Sequence, residues 1–401
     1  MKKKVFWFNR VILFSAFLAV LSFPVQAAAM SQEELRLRAL EEKFEAQEKS
    51  FDWLKKFKPK GDLRLRHEQL IREGDNGTSR VFSRTRQRIR FRIGGEYFFE
   101  KNLKVGFRLV TGSDDPISTN QTLDNDFDTK GFNFDRGYAD WKYGPMQLTG
   151  GKFGSPFMGS ELLWDSDLSF EGAAEKFSHK FGGTTLELIL GQFAVEELSD
   201  TATSASGGRE DDANLMAYQA VISQKLGGLG KAKIGVGYFD YNALAGNTLP
   251  NITKGNTLDA AGNYVTNYDL FNVLGEFKTD LIMGIPVAIF AEYVENVSDR
   301  ADNLENVGWQ VGGKVGKSVK KFGDWQLKYI YREVERDAVL DVFSDSDFHE
   351  GGTNAKGSEL GAKVGLYDGV LVNVSYFITQ EITGAKDDLE RLQVDLVLTM
   401  F

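Results

Sequence analysis

The feature that most constrains this chain is a two-residue alternation of apolar and polar side chains, which runs from about residue 60 to the end. Residues 103–109 put four apolar side chains on one face and Lys104, Gly106 and Arg108 on the other. The segments 325–331 and 370–378 alternate in the same way. A period of two predicts β-strands with one apolar and one wet face. Taken strand by strand, a soluble β-sandwich would show the same pattern.

The lengths of the connections distinguish a barrel from a sandwich. About sixteen strand-like segments are joined alternately by long polar links and by tight turns. The long links lie near 111–131, 154–170, 196–213, 242–265 and 337–356, and the turns near 99–102, 143–145, 181–183, 227–230 and 367–369. Outer-membrane barrels have long loops on the outside and short turns in the periplasm. We therefore expect an all-β transmembrane fold over residues 59–401, an antiparallel up-and-down β-barrel of about 16 strands.

The first 29 residues have the pattern of a cleaved signal peptide. Basic residues at 2–4 and 10 precede the apolar run 11–21, and Ala27-Ala28-Ala29 offers small residues for cleavage. The apolar run is short for a membrane-spanning helix, which needs roughly 20 residues. Loss of the four basic residues would take the formal charge from −9 to −13. An acidic mature protein makes nucleic acid an unsuitable partner.

Residues 30–58 carry a helical pattern. Apolar or neutral residues recur at a 3-4 spacing in 37–54, with Glu and Lys between them, which is typical of a coiled-coil seam. Ser31 and Glu34 are placed as a capping box, and we expect Pro59 and Gly61 to end the helix. The segment is interpreted as a periplasmic stalk that oligomerises the protein as a homotrimer, or as a lone amphipathic spacer helix.

The most distinctive polar feature is a row of cations on the second strand and its neighbours. Arginines at alternate positions of 84–92 share one face, and arginine at the lipid midplane costs roughly 2–4 kcal/mol, so they are expected to face the lumen. We name these residues the arginine wall; they are Arg64, Arg66, Arg84, Arg86, Arg88, Arg90, Arg92, Lys104 and Arg108. The wall is predicted to attract anions. Structural pairing with carboxylates is the alternative.

The third long link, 154–172, combines carboxylates with an apolar cluster. Its acidic residues are Glu161, Asp165, Asp167 and Glu171, and Phe157, Leu162, Leu163 and Trp164 lie among them. An exposed loop has no need of that apolar cluster, which predicts a constriction loop folded into the pore. Acidic side chains opposite the arginine wall would then set up a transverse field. A surface loop with aromatics at the membrane rim is the alternative.

Composition argues against catalysis and cofactors. The chain has no cysteine, which excludes disulfides, thiolate metal sites and cysteine nucleophiles. Its three histidines, His67, His179 and His349, stand apart from any nucleophile motif. The acidic residues of 165–167 lack the twelve-residue spacing of an EF-hand calcium loop. We predict no catalytic residue, no metal and no cofactor.

Several segments together resemble a family of bacterial outer-membrane channels, the “putative porin” family. They are GDLRLRHE (61–68), RQRIRFRIG (86–94), GKFGSPF (151–157), WDSDLSFEGAA (164–174) and LQVDLVLTMF (392–401). The resemblance implies a general-diffusion or weakly selective porin in the outer membrane of a Gram-negative bacterium. Phe401 resembles the terminal aromatic read by the outer-membrane assembly machinery. Strict alternation would turn Phe401 inward unless a bulge near Val397 intervenes.

The expected partners follow from this interpretation. They are outer-membrane lipid and lipopolysaccharide, the assembly machinery through Phe401, further copies in a homotrimer, and small hydrophilic solutes. A structural or surface-binding barrel that links the membrane to the cell wall or to a ligand is the alternative. A purely structural barrel would be expected to fill or neutralise its lumen, whereas the inward faces here carry many small residues, such as Gly235, Gly237 and Gly312.

Overall fold

The computed structural model describes residues 31–74, 81–197, 212–251, 254–282, 284–298, 305–384 and 386–401. The predicted signal peptide lies outside the described residues. The chain forms two compact units, one ending at Lys55 and one spanning Lys56–Phe401. In the described part, no helix is both long enough and apolar enough to cross a bilayer.

The first unit is helical. Helix α1 spans Gln32–Ser50 and the single turn α2 spans Asp52–Lys55. The predicted capping box is present, because Ser31 N–H donates to Glu34 Oε2 (2.8 Å) and Glu34 N–H donates to Ser31 Oγ (3.2 Å). The helix ends before Pro59 and Gly61, which lie in the first strand instead. Proline lacks an N–H donor and is tolerated near the start of a strand, so it does not mark the helix end here.

The second unit is a single closed antiparallel sheet. Its strands are β1 Phe57–Glu73, β2 Val81–Phe98, β3 Leu103–Thr111, β4 Gln121–Thr122, β5 Phe132–Tyr143, β6 Met146–Gly154, β7 Ser169–Phe181, β8 Thr184–Glu196, β9 Ala213–Lys225, β10 Lys231–Asn242, β11 Tyr268–Ile282, β12 Ile285–Asn296, β13 Val307–Gly316, β14 Trp325–Val334, β15 Ala355–Tyr367, β16 Val370–Glu381 and β17 Asp388–Met400.

Closure makes this sheet a barrel. Each long strand pairs with its sequence neighbours, and β17 pairs with β1, with Leu65 opposite Leu396. Sixteen strands form the wall, and the two-residue β4 adds to β2 beyond the end of β3. The barrel of about 16 strands predicted from alternation and link length is therefore confirmed. Closing the sheet leaves no unpaired edge, as a bilayer requires.

The links also follow the predicted pattern. The turn between β7 and β8 is Gly182-Gly183, and Gly182 has a φ of +59° that a side chain would disfavour. At the other end, the long link after β14 contains short 3-10 turns at Asp341–Phe343 and Phe348–Glu350. Long links and tight turns thus lie at opposite ends, which we call the loop end and the turn end.

The C-terminal strand is regular. β17 pairs continuously with both neighbours from Asp388 onward, so the described pairs show no bulge near Val397. Phe401 lies just beyond the strand, with a φ of +73° and an exposed side chain. Because the chain leaves the extended conformation at Phe401, strict strand alternation does not apply to it.

Candidate functional site: the barrel lumen

The arginine wall lies on the inward faces of β1, β2 and β3. In the register, Arg64 is opposite Arg90 and Arg66 is opposite Arg88, so cations of adjacent strands meet side by side. Like charges directly opposite each other repel. Such an arrangement needs carboxylates nearby.

Most of the wall is neutralised by acidic residues on the same or adjacent strands of the barrel. Asp62 accepts hydrogen bonds from both Arg90 and Arg92, each at 2.8 Å. Arg66 makes a bidentate pair with Asp395, at 2.7 and 3.0 Å. The remaining pairs are Arg86 and Arg88 with Glu68, Lys104 with Glu96, and Arg108 with Asp135. Asp62 and Asp395 were not singled out from the sequence, although both have inward parity on their strands.

Two members of the wall lack a carboxylate partner among the described residues. Arg84 is exposed at the loop end of β2. Arg64 donates a hydrogen bond to the amide oxygen of Asn120 at 2.5 Å, which leaves its charge without an opposite charge in contact. Since an amide does not neutralise a guanidinium, the charge of Arg64 has no counter-charge in contact among the described residues.

The link 155–168, which we call the inner loop, packs on the inward face of the opposite wall. Phe157 and Trp164 lie edge-on to Phe239 of β10, with ring centroids 5.3 and 4.7 Å away. Trp164 Nε1 donates to the hydroxyl of Tyr241 at 2.7 Å. Met158 N–H donates to the side chain of Gln219 at 2.8 Å. Buried aromatic rings with satisfied polar atoms fix the position of a loop.

The four predicted acidic residues have separate environments. Asp167 Oδ1 lies 3.4 Å from Arg92 and 4.0 Å from Arg90, so it touches the arginine wall directly. Asp165 accepts a hydrogen bond from Ser346 N–H at 2.8 Å and has no cation in contact in the described part. Glu161 faces the lumen beside Lys328 and Lys363. Glu171 instead lies in β7, where its exposed side chain pairs with Lys152.

A second loop, 335–354, which we call the long loop, carries acidic residues that the sequence did not single out. Asp345 receives a hydrogen bond from Arg332 at 2.9 Å. Asp347 contacts Arg66 at 3.1 Å and Arg391 at 3.4 Å. The two loops are joined where Asp165 N–H donates to the carbonyl of Phe343 at 2.8 Å. The sequence feature that could have revealed these acidic residues is a repeated tripeptide: Asp165-Ser166-Asp167 recurs as Asp345-Ser346-Asp347.

The two tripeptides share one local geometry. In each, the N–H of the second aspartate donates to the carboxylate of the first, at 2.7 Å for Asp167 and 3.0 Å for Asp347. This is the local side-chain turn that aspartate favours. It orients both second aspartates toward arginines and brings the first aspartates, Asp165 and Asp345, toward each other.

The pKa values of the four aspartates differ in the same way: the second aspartate of each tripeptide has a lowered pKa, and the first has a raised pKa. Burial would raise the pKa of Asp167, but Arg90 and Arg92 hold it below its usual range. Burial likewise opposes Arg66 and Arg391 at Asp347, and the arginines lower its pKa. Burial and then the charge of Asp345 raise the pKa of Asp165. Burial and then Glu161 raise the pKa of Asp345 to about 6, against the opposing effect of Arg332.

Between the inner loop and the wall lies a cavity of about 310 Å³, which we call the passage. Charged groups of both signs line it, including Arg64, Glu161, Lys328, Asp345 and Lys363. Three of these, Arg64, Glu161 and Lys363, have no opposite charge within ion-pair distance among the described residues. They are the charges that a solute in the passage would meet unscreened.

Lysines on the later strands are a further feature that the sequence did not reveal. Lys233, Lys314, Lys328 and Lys363 point inward from β10, β13, β14 and β15. Each is isolated in the sequence, whereas the arginines of β2 form a run. Only the closed topology brings the lysines to one surface.

The histidines have ordinary structural surroundings. His67 Nδ1 is 2.7 Å from the amide of Gln87 on the outward face. His179 stacks with Phe177 and Phe181, and His349 bonds to Thr379. Within the described residues no group of three metal-ligating side chains comes together.

Comparisons with known proteins agree with this architecture. The model of the “putative porin” family matches residues 78–268 and 256–400. Among solved structures, the chain resembles OprB of Pseudomonas putida at 14% identity and a TM-score of 0.59, covering 89% of this chain and 97% of that one. A variant of the Rhodopseudomonas blastica porin (12% identity, TM-score 0.44) and a loop-deleted OmpT of Vibrio cholerae (13%, 0.45) match over 86% of this chain and all of theirs. No curated protein matches significantly.

The fold is established by the closed sheet and by the likeness to OprB. The matched segments of the family model cover well over half of the chain. The protein therefore belongs to the “putative porin” family and is an outer-membrane channel protein of Gram-negative bacteria.

Proposed function

We propose that this porin passes small hydrophilic solutes and ions by passive diffusion through the passage beside the inner loop. The observation that carries the proposal is the set of charges in the passage that have no ion-pair partner among the described residues, Arg64, Glu161 and Lys363. A barrel of sixteen strands is wide enough for an aqueous channel. The inner loop narrows it and brings Glu161 opposite cations.

The selectivity we propose is a mild preference for anions. Two unpaired cations, Arg64 and Lys363, face one unpaired carboxylate, Glu161. Charged rings in a low-dielectric constriction act more strongly than charges at the rim. The paired residues of the arginine wall contribute to the position of the loops more than to selectivity. A narrow passage with both signs also favours dipolar over apolar solutes.

Planar-bilayer conductance of the purified protein in a salt gradient tests both parts. We expect stepwise openings and a reversal potential of the sign for anions. Arg64→Gln is expected to shift it toward cations, and Glu161→Gln to shift it further toward anions. Lys320→Gln, in an exposed turn, is the matched control and should leave it unchanged. Equal shifts for Arg64→Gln and the control would contradict the proposal.

One observation favours a structural barrel as the second candidate. The arginine wall is largely self-neutralised, and two loops fill part of the lumen. Such a barrel would anchor lipopolysaccharide, the cell wall or a surface ligand. A silent bilayer from folded, heat-modifiable protein would favour this function over diffusion.

We also propose that the protein is a homotrimer. The exposed carboxylate of Glu175 lies midway along β7 on the outward face, opposite Leu148 and Leu190. A charge against lipid hydrocarbon is costly, so contact with a neighbouring barrel would relieve it. The exposed apolar residues of α1, such as Leu37, Leu40 and Phe44, are available for a coiled coil. Native mass spectrometry should give three copies, and Glu175→Leu should alter that number.

Phe401 is proposed as the assembly signal. Its side chain is exposed at the end of the barrel, where a partner can reach it. Phe401→Ala is expected to reduce the amount of protein inserted in the outer membrane. Its conductance once refolded in vitro should be unchanged.

A further inference from the structure

A second cationic surface lies at the turn end of the lumen. Lys233 is the third residue of β10, and Lys314 comes two residues before the end of β13. Lys363 lies four residues before the end of β15. We call these three residues the lysine face. They line one cavity of about 590 Å³ on the turn side of the inner loop.

The lysine face differs from its surroundings in pairing. Lys176 pairs with Glu187 at 2.6 Å, Lys278 pairs with Glu276 at 2.8 Å, and Lys328 pairs with Glu359. None of the three lysine-face residues has a carboxylate within ion-pair distance in the part of the chain that the structure describes. Lys314 instead lies 5.8 Å from the ring of Phe290.

The register concentrates this charge. Lys314 is directly opposite Lys328 on the inward side of β13 and β14. Like charges placed so repel each other and destabilise the pair. Lys363 of β15 is opposite Gln326 of β14, and Gln326 is the inward-facing residue next to Lys328 on that strand. This repulsion is present in the protein without a ligand, so an anion bound at the lysine face would relieve it.

The lining groups define the ligand. Ammonium groups are compact, hydrated point charges with three donors each. The amides of Gln326 and Asn373 add neutral donors. Two lining carboxylates, Glu161 and Glu292, have no cation within ion-pair distance among the described residues, and Glu292 is hydrogen-bonded to Ser160 and Asn272. A monovalent anion satisfies one ammonium only, whereas an anion with two or more charges relieves repulsion among several.

We propose that the lysine face is a binding site for small multivalent anions, such as phosphate esters and di- or tricarboxylates, that cross the barrel. The site rests on the proposed diffusion function, since it acts on solutes within the lumen. Binding there would hold multivalent anions at the turn end and delay monovalent ions that share the path.

Inorganic phosphate is the probe for the test. At constant ionic strength and pH 8, phosphate should reduce the chloride current through the native channel in a saturable way. The variant with Lys233→Gln, Lys314→Gln and Lys363→Gln should need at least tenfold more phosphate for half-block. The corresponding triple Lys→Arg variant, which keeps the charge, should stay within a few fold of native.

The matched control removes three lysines of the exposed turn between β13 and β14 instead. Lys317→Gln, Lys320→Gln and Lys321→Gln change the net charge equally at the same end of the barrel. Half-block within twofold of native is expected. If this control weakens the block as much as the lysine-face variant does, overall charge explains it and the site is overturned.

Calorimetric titration of phosphate into the solubilised barrel separates this inference from the diffusion proposal. Phosphate binding that is lost in the lysine-face variant supports the site, even if the protein gives no current in bilayers. Absence of current would contradict only the diffusion proposal. Open channels with no phosphate block and no heat of binding would overturn the site and leave diffusion intact. Unchanged heat-modifiable migration establishes that each variant is folded.

Discussion

The two cationic surfaces of the lumen, the arginine wall and the lysine face, are built from the same sign of charge and do different things. In the wall, planar guanidinium groups pair with Asp62, Asp395 and Asp347, and the Arg66–Asp395 pair is bidentate. In the lysine face, the ammonium groups have no carboxylate within ion-pair distance among the described residues. Arginine suits fixed, forked pairing, and lysine remains a mobile point charge. Where a cation is paired it positions a loop, and where it is unpaired it is available to a solute.

The largest effect should come from breaking the wall at Arg66. Its side chain is 4% exposed and pairs with Asp395, which is 2% exposed, and with Asp347 of the long loop. Arg66→Gln leaves both carboxylates without their main cation, and removing one partner of a buried pair costs about 3–5 kcal/mol. The free energy of unfolding, measured by urea titration in lipid vesicles, should fall by an amount of that order.

Arg84→Gln is the control for this experiment. It removes the same charge from the same wall at an exposed position, so a change below about 0.5 kcal/mol is expected. Similar losses for the two variants would mean that pairing does not distinguish Arg66. Asp347→Asn tests whether the Arg66–Asp347 pair also holds the long loop. If this variant lowers the free energy of unfolding but leaves the rate of proteolysis of the long loop unchanged, the pair stabilises the strands only.

The next effect concerns the aspartates that turn away from the wall. The pKa of Asp345 is raised to about 6 by burial and by Glu161, and Asp165 and Asp347 face it as well, while Arg332 opposes the shift. A raised pKa favours folding below the unfolded value near 3.8, and this contribution is lost as pH rises through about 6. Ionisation also adds negative charge beside the passage.

Anion preference should therefore fall between pH 5 and pH 7.5. The reversal potential of the native channel measures this, and Asp345→Asn should give a flatter pH profile. Asp324→Asn, in the exposed turn between β13 and β14, is the matched control and should follow the native curve. A pH profile of Asp345→Asn that matches native would assign the titration to another group, Asp165 first.

The wall shows how much of this molecule could be read from its sequence. Alternation and link length predicted the closed sheet, because each strand needs one apolar face regardless of its partner. The inward parity of Arg86, Arg88 and Arg90 followed from the same reasoning. The partner of Arg66 did not, because Arg66 and Asp395 are 329 positions apart and meet only where the barrel closes. The basic wall was thus visible, and its neutralisation was largely hidden.

The loops show a second limit. The apolar cluster around Trp164 predicted a loop with something to pack against, and Phe239 and Tyr241 supply it. No local signal said that 335–354 would join it, except the repeated Asp-Ser-Asp. The helical segment also ends earlier than Pro59 and Gly61, since α2 ends at Lys55 and Pro59 is the third residue of β1. Local propensity fixes element type more firmly than element boundaries.

The smallest expected effect on stability concerns Lys314 of the lysine face. Lys314 faces Lys328 across the β13–β14 pair with no carboxylate of its own. Lys314→Gln removes the repulsion and should raise the free energy of unfolding by about 0.2–1 kcal/mol in low salt. Because salt screens exposed charges over roughly 3 Å at 1 M, the gain should vanish there. Lys320→Gln should change nothing at either salt concentration. If Lys314→Gln instead lowered the free energy of unfolding, as Arg66→Gln is expected to do, Lys314 would stabilise the fold. The distinction between paired arginines and available lysines would then be wrong at the residue where it is most easily tested.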